Sequence, residues 1–171
     1  MNPDSRALKQ LDARLCDWQP DFVGTLAFIV SGDSVLLIRK KRGHGAGKLN
    51  GPGGKVEAGE TPLAGVIRET EEEVGVRLIR PELLGRFRFV DLRASQWLGF
   101  AFLARTWEGT PVETDEARPH WFDKRRLPFD EMWEDDRYWL PRLLNGESLT
   151  GDFLFDDGRL LVHRLFTDLD G

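Results

Sequence analysis

The run Arg68-Glu69-Thr70-Glu71-Glu72-Glu73 is the densest group of side chains that could do chemistry. On a helix, at about 100° per residue, Glu72 and Glu73 lie within about 60° of Glu69. Like charges at this spacing destabilise a bare helix, and a hard divalent cation such as Mg²⁺ would reverse that cost. The run therefore predicts either a solvated acidic face or a metal site. In the metal site Arg68 would orient or neutralise a carboxylate, with Glu60 as its candidate partner.

The segment before this run favours the metal site. Residues 43–59 contain seven glycines without hydrophobic periodicity, which is typical of a long functional loop. The loop carries a basic residue, Lys55, and leads to Thr61-Pro62, an N-cap hydroxyl followed by a proline suited to the first helical position. Carboxylates on a helix beside a flexible, cationic loop are what a metal–phosphate site requires.

Hydrophobic spacing predicts the elements around this site. A helix begins at Pro62 and ends before Gly75, and its buried stripe comprises Leu63, Val66, Ile67, Thr70 and Val74. Apolar runs predict strands over residues 22–30, 35–39, 84–90, 98–106 and 120–122, and a closing hairpin over residues 153–166. A further helix over residues 134–144 contains Pro141, which weakens that assignment. These elements predict a mixed α/β sandwich without an internal linker.

Composition restricts the classes of function. The chain has 171 residues, a net charge of −5 and one cysteine, Cys16. A mildly acidic protein has no electrostatic footprint for wrapping duplex nucleic acid. The lone cysteine excludes an internal disulfide, and we find neither an apolar run of transmembrane length nor an apolar leader segment. We therefore expect a cytoplasmic protein that acts on a small molecule, without a nucleic-acid or membrane partner; its oligomeric state is left open.

The first twenty residues form a feature of their own. Leucines and a tryptophan recur there at steps of three and four: Leu8, Leu11, Leu15 and Trp18. This spacing predicts a short amphipathic helix over residues 6–18, which either packs on the rest of the chain or dimerises. Packing is the favoured interpretation. We therefore divide the chain into an N-terminal extension, residues 1–20, and one main domain, residues 21–170.

The glycine loop and the acidic helix share a longer pattern. Gly54 is followed after five residues by Glu60, and after seven more by Arg68-Glu69-Thr70-Glu71-Glu72-Glu73-Val74-Gly75-Val76. These 23 residues resemble the Nudix box, with Thr70 where the family usually has an aliphatic residue. The resemblance implies a Nudix-type α/β/α sandwich with a mixed central sheet for residues 21–170, and a hydrolase that uses Mg²⁺, or Mn²⁺ in its place.

The same resemblance implies the catalytic residues. Besides Arg68, they are the members of a metal shell: the backbone carbonyl of Gly53 and the carboxylates of Glu69, Glu72, Glu73 and Glu116. Which glutamate is the general base is left open.

The likeness extends over about residues 22–168 to the branch of this family that hydrolyses oxidised purine nucleoside triphosphates. It is carried by short motifs at residues 40–43, 45–47, 50–51, 53–56, 59–61, 109–113, 115–116, 118–119, 121–122, 132–133, 135–136 and 138–139. It implies that the substrate-binding residues are Thr25, Lys40, Asn50, Gly53, Gly54, Lys55, Trp133, Asp135 and Asp136.

Four of these residues would contact the base, and one of them, Asn50, would hydrogen-bond to it. Trp133 would stack on the purine, while Asp135 and Asp136 would face its Watson–Crick edge, one of them protonated because each raises the pKa of the other. From the residues alone, Trp133 also fits a place in the core, and the aspartates also fit the cap of the following helix.

The chain departs from this branch at three pocket positions. His44 stands where the branch has an aromatic residue, Leu49 where it has a tryptophan and Ala117 where it has a methionine. These departures predict a looser, wetter pocket, in which His44 is a polar loop residue rather than a ligand.

Three functions are open. The first is Mg²⁺-dependent hydrolysis of oxidised purine nucleoside triphosphates such as 8-oxo-dGTP to the monophosphate and pyrophosphate, which would sanitise the nucleotide pool. The second is Nudix hydrolysis of a dinucleoside polyphosphate, a nucleotide sugar or an ordinary nucleoside triphosphate. The third is a non-catalytic nucleotide-binding module, against which the complete glutamate set argues.

Overall fold

The computed structural model describes residues 3–167. Its helices are α1 (Pro3–Leu15), α2 (Pro62–Val74) and α3 (Asp136–Leu144). Its strands are β1 (Phe22–Ser31), β2 (Ser34–Lys40), β3 (Leu49–Asn50), β4 (Arg77–Ile79), β5 (Glu82–Asp91), β6 (Trp97–Ala104), β7 (Thr106–Glu108), β8 (Ala117–Asp123), β9 (Leu149–Asp156) and β10 (Arg159–Thr167). The first two residues of the predicted extension and residues 168–170 of the predicted main domain lie outside the described residues.

Eight strands form one mixed sheet. The order is β10-β9-β5-β6-β1-β2-β3, and β8 also pairs with β2. Strand β1 runs parallel to β6, and β5 runs parallel to β9, whereas the other neighbours are antiparallel. Strands β4 and β7 form a separate two-stranded ribbon.

Two cores lie on opposite faces of this sheet, because successive side chains of a strand point to opposite sides. On β1, Phe28 packs in one core with Trp139 of α3. Its neighbours Ala27 and Ile29 belong to the other core, with Val66 of α2. Helices α2 and α3 thus cover opposite faces, which confirms the predicted mixed α/β sandwich.

Helix α2 begins and ends at the predicted residues. The hydroxyl of Thr61 accepts a 3.1 Å hydrogen bond from the Ala64 N–H, and Pro62 is the first helical residue. Gly75 ends the helix in the left-handed conformation, with a φ of 70°. Local capping chemistry therefore sets both ends of the helix that carries the acidic run.

The predicted buried stripe of α2 is wrong at one residue. Leu63 is 46% exposed, because it lies in the first turn, ahead of Val66, the first residue of the helix that joins the core. Thr70, the departure from the usual aliphatic residue, is fully buried. Its hydroxyl donates to the Val66 carbonyl at 2.7 Å, so the polar group is satisfied within the helix.

Helix α1 packs on β5, β9 and β10. The predicted helix is displaced toward the N-terminus, since α1 ends at Leu15 and Trp18 lies beyond it. Leu11 is fully buried in a small core with Val90 and Leu154, around which Trp18 also packs. Dividing the chain at residue 20 stays a prediction.

Within residues 3–167, no helix combines the length and apolar character needed to span a membrane.

Strand bounds differ from the prediction where the pattern is short or mixed. Strand β8 is longer than the predicted piece 120–122, because residues 117–119 also pair with β2 although they form no apolar run. Strands β3, β4 and β7 have only two or three residues, too few to show a period. The predicted strand 98–106 divides at Arg105, and α3 continues through Pro141.

Leu11 offers a test of the packing of α1. Replacing it with alanine should lower the free energy of unfolding by about 2–5 kcal/mol, since the fully buried side chain leaves a cavity. The matched control is Leu63→Ala on the exposed turn of α2, which should change it by no more than about 0.5 kcal/mol. Urea titrations of both variants measure the difference, and equal effects would contradict the packing of α1 on the sheet.

Candidate active site

The loop between β3 and α2 runs along β1 as an additional strand would. The N–H of Ala27 donates to the Pro52 carbonyl at 2.7 Å, and the N–H of Thr25 donates to the Gly54 carbonyl at 2.9 Å. The Thr25 hydroxyl also reaches the Gly54 carbonyl, at 3.3 Å. The middle of the glycine loop is therefore fixed to the sheet.

Two glycines in this segment leave no space for a side chain. Gly53 has a φ of 155°, and a Cβ atom there would collide with the backbone carbonyl of Thr25. A Cβ atom on Gly54 would lie 2.5 Å from the carboxylate carbon of Glu69. Glycine at both positions lets the loop pass between β1 and α2, against the acidic face of the helix.

Glu73 is the buried member of the acidic run, with 1% of its surface exposed. Its Oε1 accepts a 2.8 Å hydrogen bond from the Gly53 N–H, whereas its buried Oε2 has no hydrogen-bond partner among the described residues. Burial raises the pKa of Glu73 to about 7, although the Gly53 N–H and the charge of Lys40 both lower it. Because an unpaired buried acceptor is costly, Oε2 is suited to an incoming ligand.

Arg68 joins the loop to the helix. Its Nε and Nη2 donate to the two carboxylate oxygens of Glu60 at 2.8 and 2.9 Å, and Nη2 also donates to the Lys55 carbonyl at 3.1 Å. Its Nη1 lies 3.0 Å from Glu69 and 3.2 Å from Glu72. The predicted partner of Arg68 is confirmed, and its hydrogen bond lowers the pKa of Glu60. Arg68 therefore compensates the negative charge of this face.

The remaining predicted metal ligands, Glu72 and Glu116, do not form a compact cluster with Glu73. Glu72 is exposed, and Glu116 pairs with Arg42 at 3.1 Å. Across residues 3–167, no three acidic, histidine or cysteine side chains stand close enough to form a ready-made metal site. Sequence analysis missed Thr114, whose hydroxyl donates to the Glu73 carbonyl at 2.7 Å and accepts from the Glu116 N–H at 3.2 Å. Thr114 therefore ties the end of the acidic helix to the Glu116 loop.

A cavity of about 920 Å³ lies beside the acidic helix, and its volume suits a small-molecule ligand. It is lined by Glu69, while Arg68, Glu72, Glu73 and Glu116 lie outside its lining. All nine residues predicted to bind substrate also line it: Thr25, Lys40, Asn50, Gly53, Gly54, Lys55, Trp133, Asp135 and Asp136. The cavity therefore holds the predicted substrate-binding residues and meets the acidic helix at Glu69.

Asp135 and Asp136 are buried in its wall. Asp135 Oδ2 accepts a 2.8 Å hydrogen bond from the indole N–H of Trp139, and its side chain makes no capping bond to α3, so the capping interpretation of Asp135 is wrong. Asp136 Oδ2 is buried with no partner among the described residues. Burial raises the pKa of both carboxyls, and the charge of Asp135 raises that of Asp136 further. The pair thus retains a proton at pH values that ionise an exposed aspartate.

Trp133 belongs to an aromatic stack in the same cavity. Its ring lies 5.1 Å from that of His44 with 18° between the planes, and His44 also stacks on Trp97 at 4.7 Å and 25°. Desolvation, together with the charges of Lys40 and Lys55, lowers the pKa of His44. His44 is therefore part of the cavity wall rather than a detached polar loop residue.

The sequence predicts Lys55 as the cation of a metal–phosphate site, but its side chain lies over aromatic rings of the cavity wall. Its ammonium group lies 3.8 Å from the ring centre of Phe22 and 5.7 Å from that of Trp97. Cation–π attraction thus holds the side chain over the aromatic wall, while its backbone carbonyl binds Arg68. Burial raises the pKa of both Glu69 and Glu73, and the charge of Lys40 opposes that shift at each of them.

Of the three departures at pocket positions, His44 alone lines the cavity. Leu49 and Ala117 are buried in the two cores, and the looser, wetter pocket stays a prediction. Sequence analysis missed Trp97, a cavity residue that adds a large ring to the wall. The available signal was a tryptophan at the start of a predicted strand, directly after a polar turn.

Comparison with known families agrees with this geometry. Residues 21–143 match the NUDIX domain. The chain belongs to the Nudix family. Two curated Nudix relatives are named oxidized purine nucleoside triphosphate hydrolase. The zebrafish (Danio rerio) protein is 41% identical over 82% of this chain and 92% of its own length, and the mouse (Mus musculus) protein is 37% identical over 85% and 94%. The crystal structure of a mutator MutT protein from Bacillus halodurans superposes with a TM-score of 0.75 at 34% identity, covering 84% of this chain and 97% of that one.

Asp136 gives a pH test of the buried acid pair. Its pKa in the folded protein is raised above the ordinary value of 3.8, so ionising it destabilises the fold as pH rises above 3.8. Asparagine cannot ionise, so the Asp136→Asn variant should gain free energy of unfolding relative to wild type between pH 4 and pH 8. Urea titrations across this range measure the difference. A difference that stays constant with pH would contradict the raised pKa.

Proposed function

We propose that this Nudix protein hydrolyses oxidised purine nucleoside triphosphates, such as 8-oxo-dGTP, to the monophosphate and pyrophosphate with Mg²⁺, and so sanitises the nucleotide pool. The observation that carries the proposal is the shared cavity, lined by Glu69 of the Nudix box and by the buried Asp135–Asp136 pair. A nucleoside triphosphate suits both groups, because its polyphosphate would lie near Glu69 and its base would lie near the aspartate pair. The names of the zebrafish and mouse relatives support the same substrate.

The Nudix-box residues fit a divalent cation. Glu73 offers a buried oxygen that lacks a partner among the described residues, and the neighbouring donors are also oxygens, the kind that Mg²⁺ prefers. The residues that would hold Mg²⁺, or Mn²⁺ in its place, are the Gly53 carbonyl, Glu69, Glu72, Glu73 and Glu116. When bound, the cation neutralises phosphate charge and makes a water molecule more acidic.

Arg68 and Lys40 provide the fixed positive charge around these acids. The two-pronged pair with Glu60 anchors Arg68, so its contacts with Glu69 and Glu72 can loosen while the loop stays bound to the helix. Lys40 lines the cavity and lies close enough to Glu73 to lower its pKa. It is therefore placed to attract the phosphates of a bound nucleotide.

The aspartate pair suits a base that both donates and accepts hydrogen bonds. A protonated carboxyl donates and an ionised one accepts, and Asp136 Oδ2 has no described protein partner to compete for it. Since the proton can reside on either residue, the pair can serve more than one oxidised purine. Stacking on Trp133 would add about 1–3 kcal/mol.

Glu73→Gln tests the catalytic part. It should lower turnover by about a hundredfold or more, because ligands that orient a metal supply several kcal/mol of transition-state stabilisation. The matched control is Glu71→Gln, an exposed residue of the same helix, which should keep turnover within about twofold of wild type. Turnover of 8-oxo-dGTP is measured at saturating Mg²⁺ and again after chelation, which should abolish it in wild type.

Circular dichroism and thermal melts should show that the Glu73→Gln variant is folded, because removing one charge from a crowded acidic face relieves repulsion. More than about a tenth of wild-type turnover in this variant would exclude Glu73 as an essential ligand. Turnover that persists after chelation would contradict the metal requirement.

The base-reading residues are tested with a panel of 8-oxo-dGTP, dGTP, 2-hydroxy-dATP and dCTP. Wild type should prefer an oxidised purine over dCTP by at least about tenfold in kcat/KM, and Asp135→Asn or Asp136→Asn should cost about 1–3 kcal/mol on the purines. Trp133→Ala should weaken all purines with little effect on their ranking. Asp130→Asn is the control, since this aspartate is fully exposed.

Two outcomes would contradict the substrate proposal. A wild-type enzyme without purine preference would remove the role of the aspartate pair. A higher kcat/KM for a dinucleoside polyphosphate or a nucleotide sugar would favour the second Nudix activity.

A further inference from the structure

Gln96 connects the N-terminal segment to one wall of the cavity. Its backbone N–H donates to the Asp21 carboxylate at 2.7 Å. Its backbone carbonyl accepts from the N–H groups of Asp21 and Phe22 at 2.9 and 3.1 Å. The backbone N–H and the backbone carbonyl of Gln96 are therefore both hydrogen-bonded to the segment that follows α1.

The side chain of Gln96 extends the connection in both directions. Its Oε1 accepts from the indole N–H of Trp18 at 3.0 Å and from the Asp91 N–H at 3.2 Å. Its Nε2 donates to the carbonyls of Asp91 and Ala94 at 2.8 and 3.1 Å. These bonds use two acceptor sites and both donors of the amide, so Gln96 links Trp18 to the turn 91–96 with its full capacity.

The turn 91–96 and the residue after it form part of the cavity wall. Asp91, Ala94, Ser95 and Trp97 all line the cavity. The Trp97 ring packs on Phe22 at 4.9 Å and stacks on His44, which in turn stacks on Trp133. A displacement of this turn would therefore move the aromatic wall against which a base would lie.

Trp18 is itself held in place by α1. Trp18 packs around the small core formed by Leu11, Val90 and Leu154. Arg164 of β10 adds an ion pair to Asp12 of α1 at 2.7 Å. The indole that donates to Gln96 is thus fixed to the sheet through α1 and its contacts with β5, β9 and β10.

We propose that Trp18 and Gln96 are positioning residues for base binding. The N-terminal segment holds the turn 91–96, and through it Trp97, in the place that a purine requires. The proposal rests on the proposed function, because it assumes that a purine occupies this cavity. It assigns a task to Trp18, which precedes the Nudix match that begins at residue 21.

Trp18→Phe tests the proposal, since it keeps an aromatic ring and removes the donor to Gln96. We expect KM for 8-oxo-dGTP to rise about three- to tenfold, the effect of one lost hydrogen bond, with kcat within about twofold. Amide hydrogen exchange at residues 91–97 should accelerate in the same variant. The matched control is Trp107→Phe in the β4–β7 ribbon, which should change neither.

Gln96→Glu is a second, isosteric variant. Its carboxylate cannot donate to the Asp91 and Ala94 carbonyls, so it should produce the same changes more strongly. If either variant accelerates exchange while KM for 8-oxo-dGTP stays at the wild-type value, the positioning role is overturned. Unchanged exchange in Trp18→Phe would overturn it as well.

Binding of 8-oxo-dGMP, measured by calorimetry, separates this proposal from the proposed function because it requires no turnover. Wild type should bind this product about three- to tenfold more tightly than Trp18→Phe. Wild type that binds the monophosphate but does not hydrolyse the triphosphate would overturn the proposed function alone. Equal affinities of the two proteins would overturn the positioning role alone, and no binding by wild type would overturn both.

Discussion

The passage of the glycine loop between β1 and α2 is the constraint on which the rest of the site depends. Gly53 has no side chain, so its backbone N–H can reach Glu73 on the helix while the flanking carbonyls accept hydrogen bonds from β1. A methyl group at this position would collide with the Thr25 carbonyl and separate the layers. The distance between the acidic helix and the sheet is therefore set by backbone contacts, which side-chain motion alters little.

The close packing of the loop on α2 also buries negative charge. The protein compensates this charge at some carboxylates more than at others. Arg68 is hydrogen-bonded to Glu60, Glu69 and Glu72, so the outer carboxylates are already paired in the protein alone. Glu73 receives only one backbone N–H, and burial raises its pKa to about 7. The unequal compensation explains how an acidic face can fold without a cation and still favour one: the outer pairs offset repulsion, while the inner oxygen gains most from a new partner.

The parts of the site that sequence predicts best are those that local chemistry determines. Thr61, Pro62 and Gly75 set the ends of α2 through contacts within a few residues, and the ends lie where expected. Hydrophobic periodicity predicts the buried face of that helix, but it does not predict at which residue the helix first meets the sheet. Leu63 was therefore predicted to be buried, although it is exposed. The residues around the cavity were found through resemblance to a family, because nothing local to Asp135 or Asn50 indicates that they share a wall.

What sequence could not predict are side-chain contacts that replace those suggested by local composition. Asp135 precedes a helix and has the composition of a cap, yet it binds the indole of Trp139. His44 lies in a glycine-rich loop and has a polar side chain, yet it stacks between two tryptophans. In both cases a tryptophan supplies the contact that replaces the local preference: a hydrogen bond to Asp135 and two stacked rings around His44.

The electrostatics of the cavity give these contacts a functional consequence. Asp135 and Asp136 are kept in the wall at an energetic cost, because burial disfavours their ionised forms. A base edge that accepts from the protonated carboxyl and donates to the ionised one would remove part of that cost, whereas a mismatched edge would leave a buried group unpaired and lose its own bonds to water. Selectivity in such a pocket arises mainly from rejection of the wrong base edge. It depends on the aromatic wall to exclude water, because water would satisfy the aspartates without discrimination.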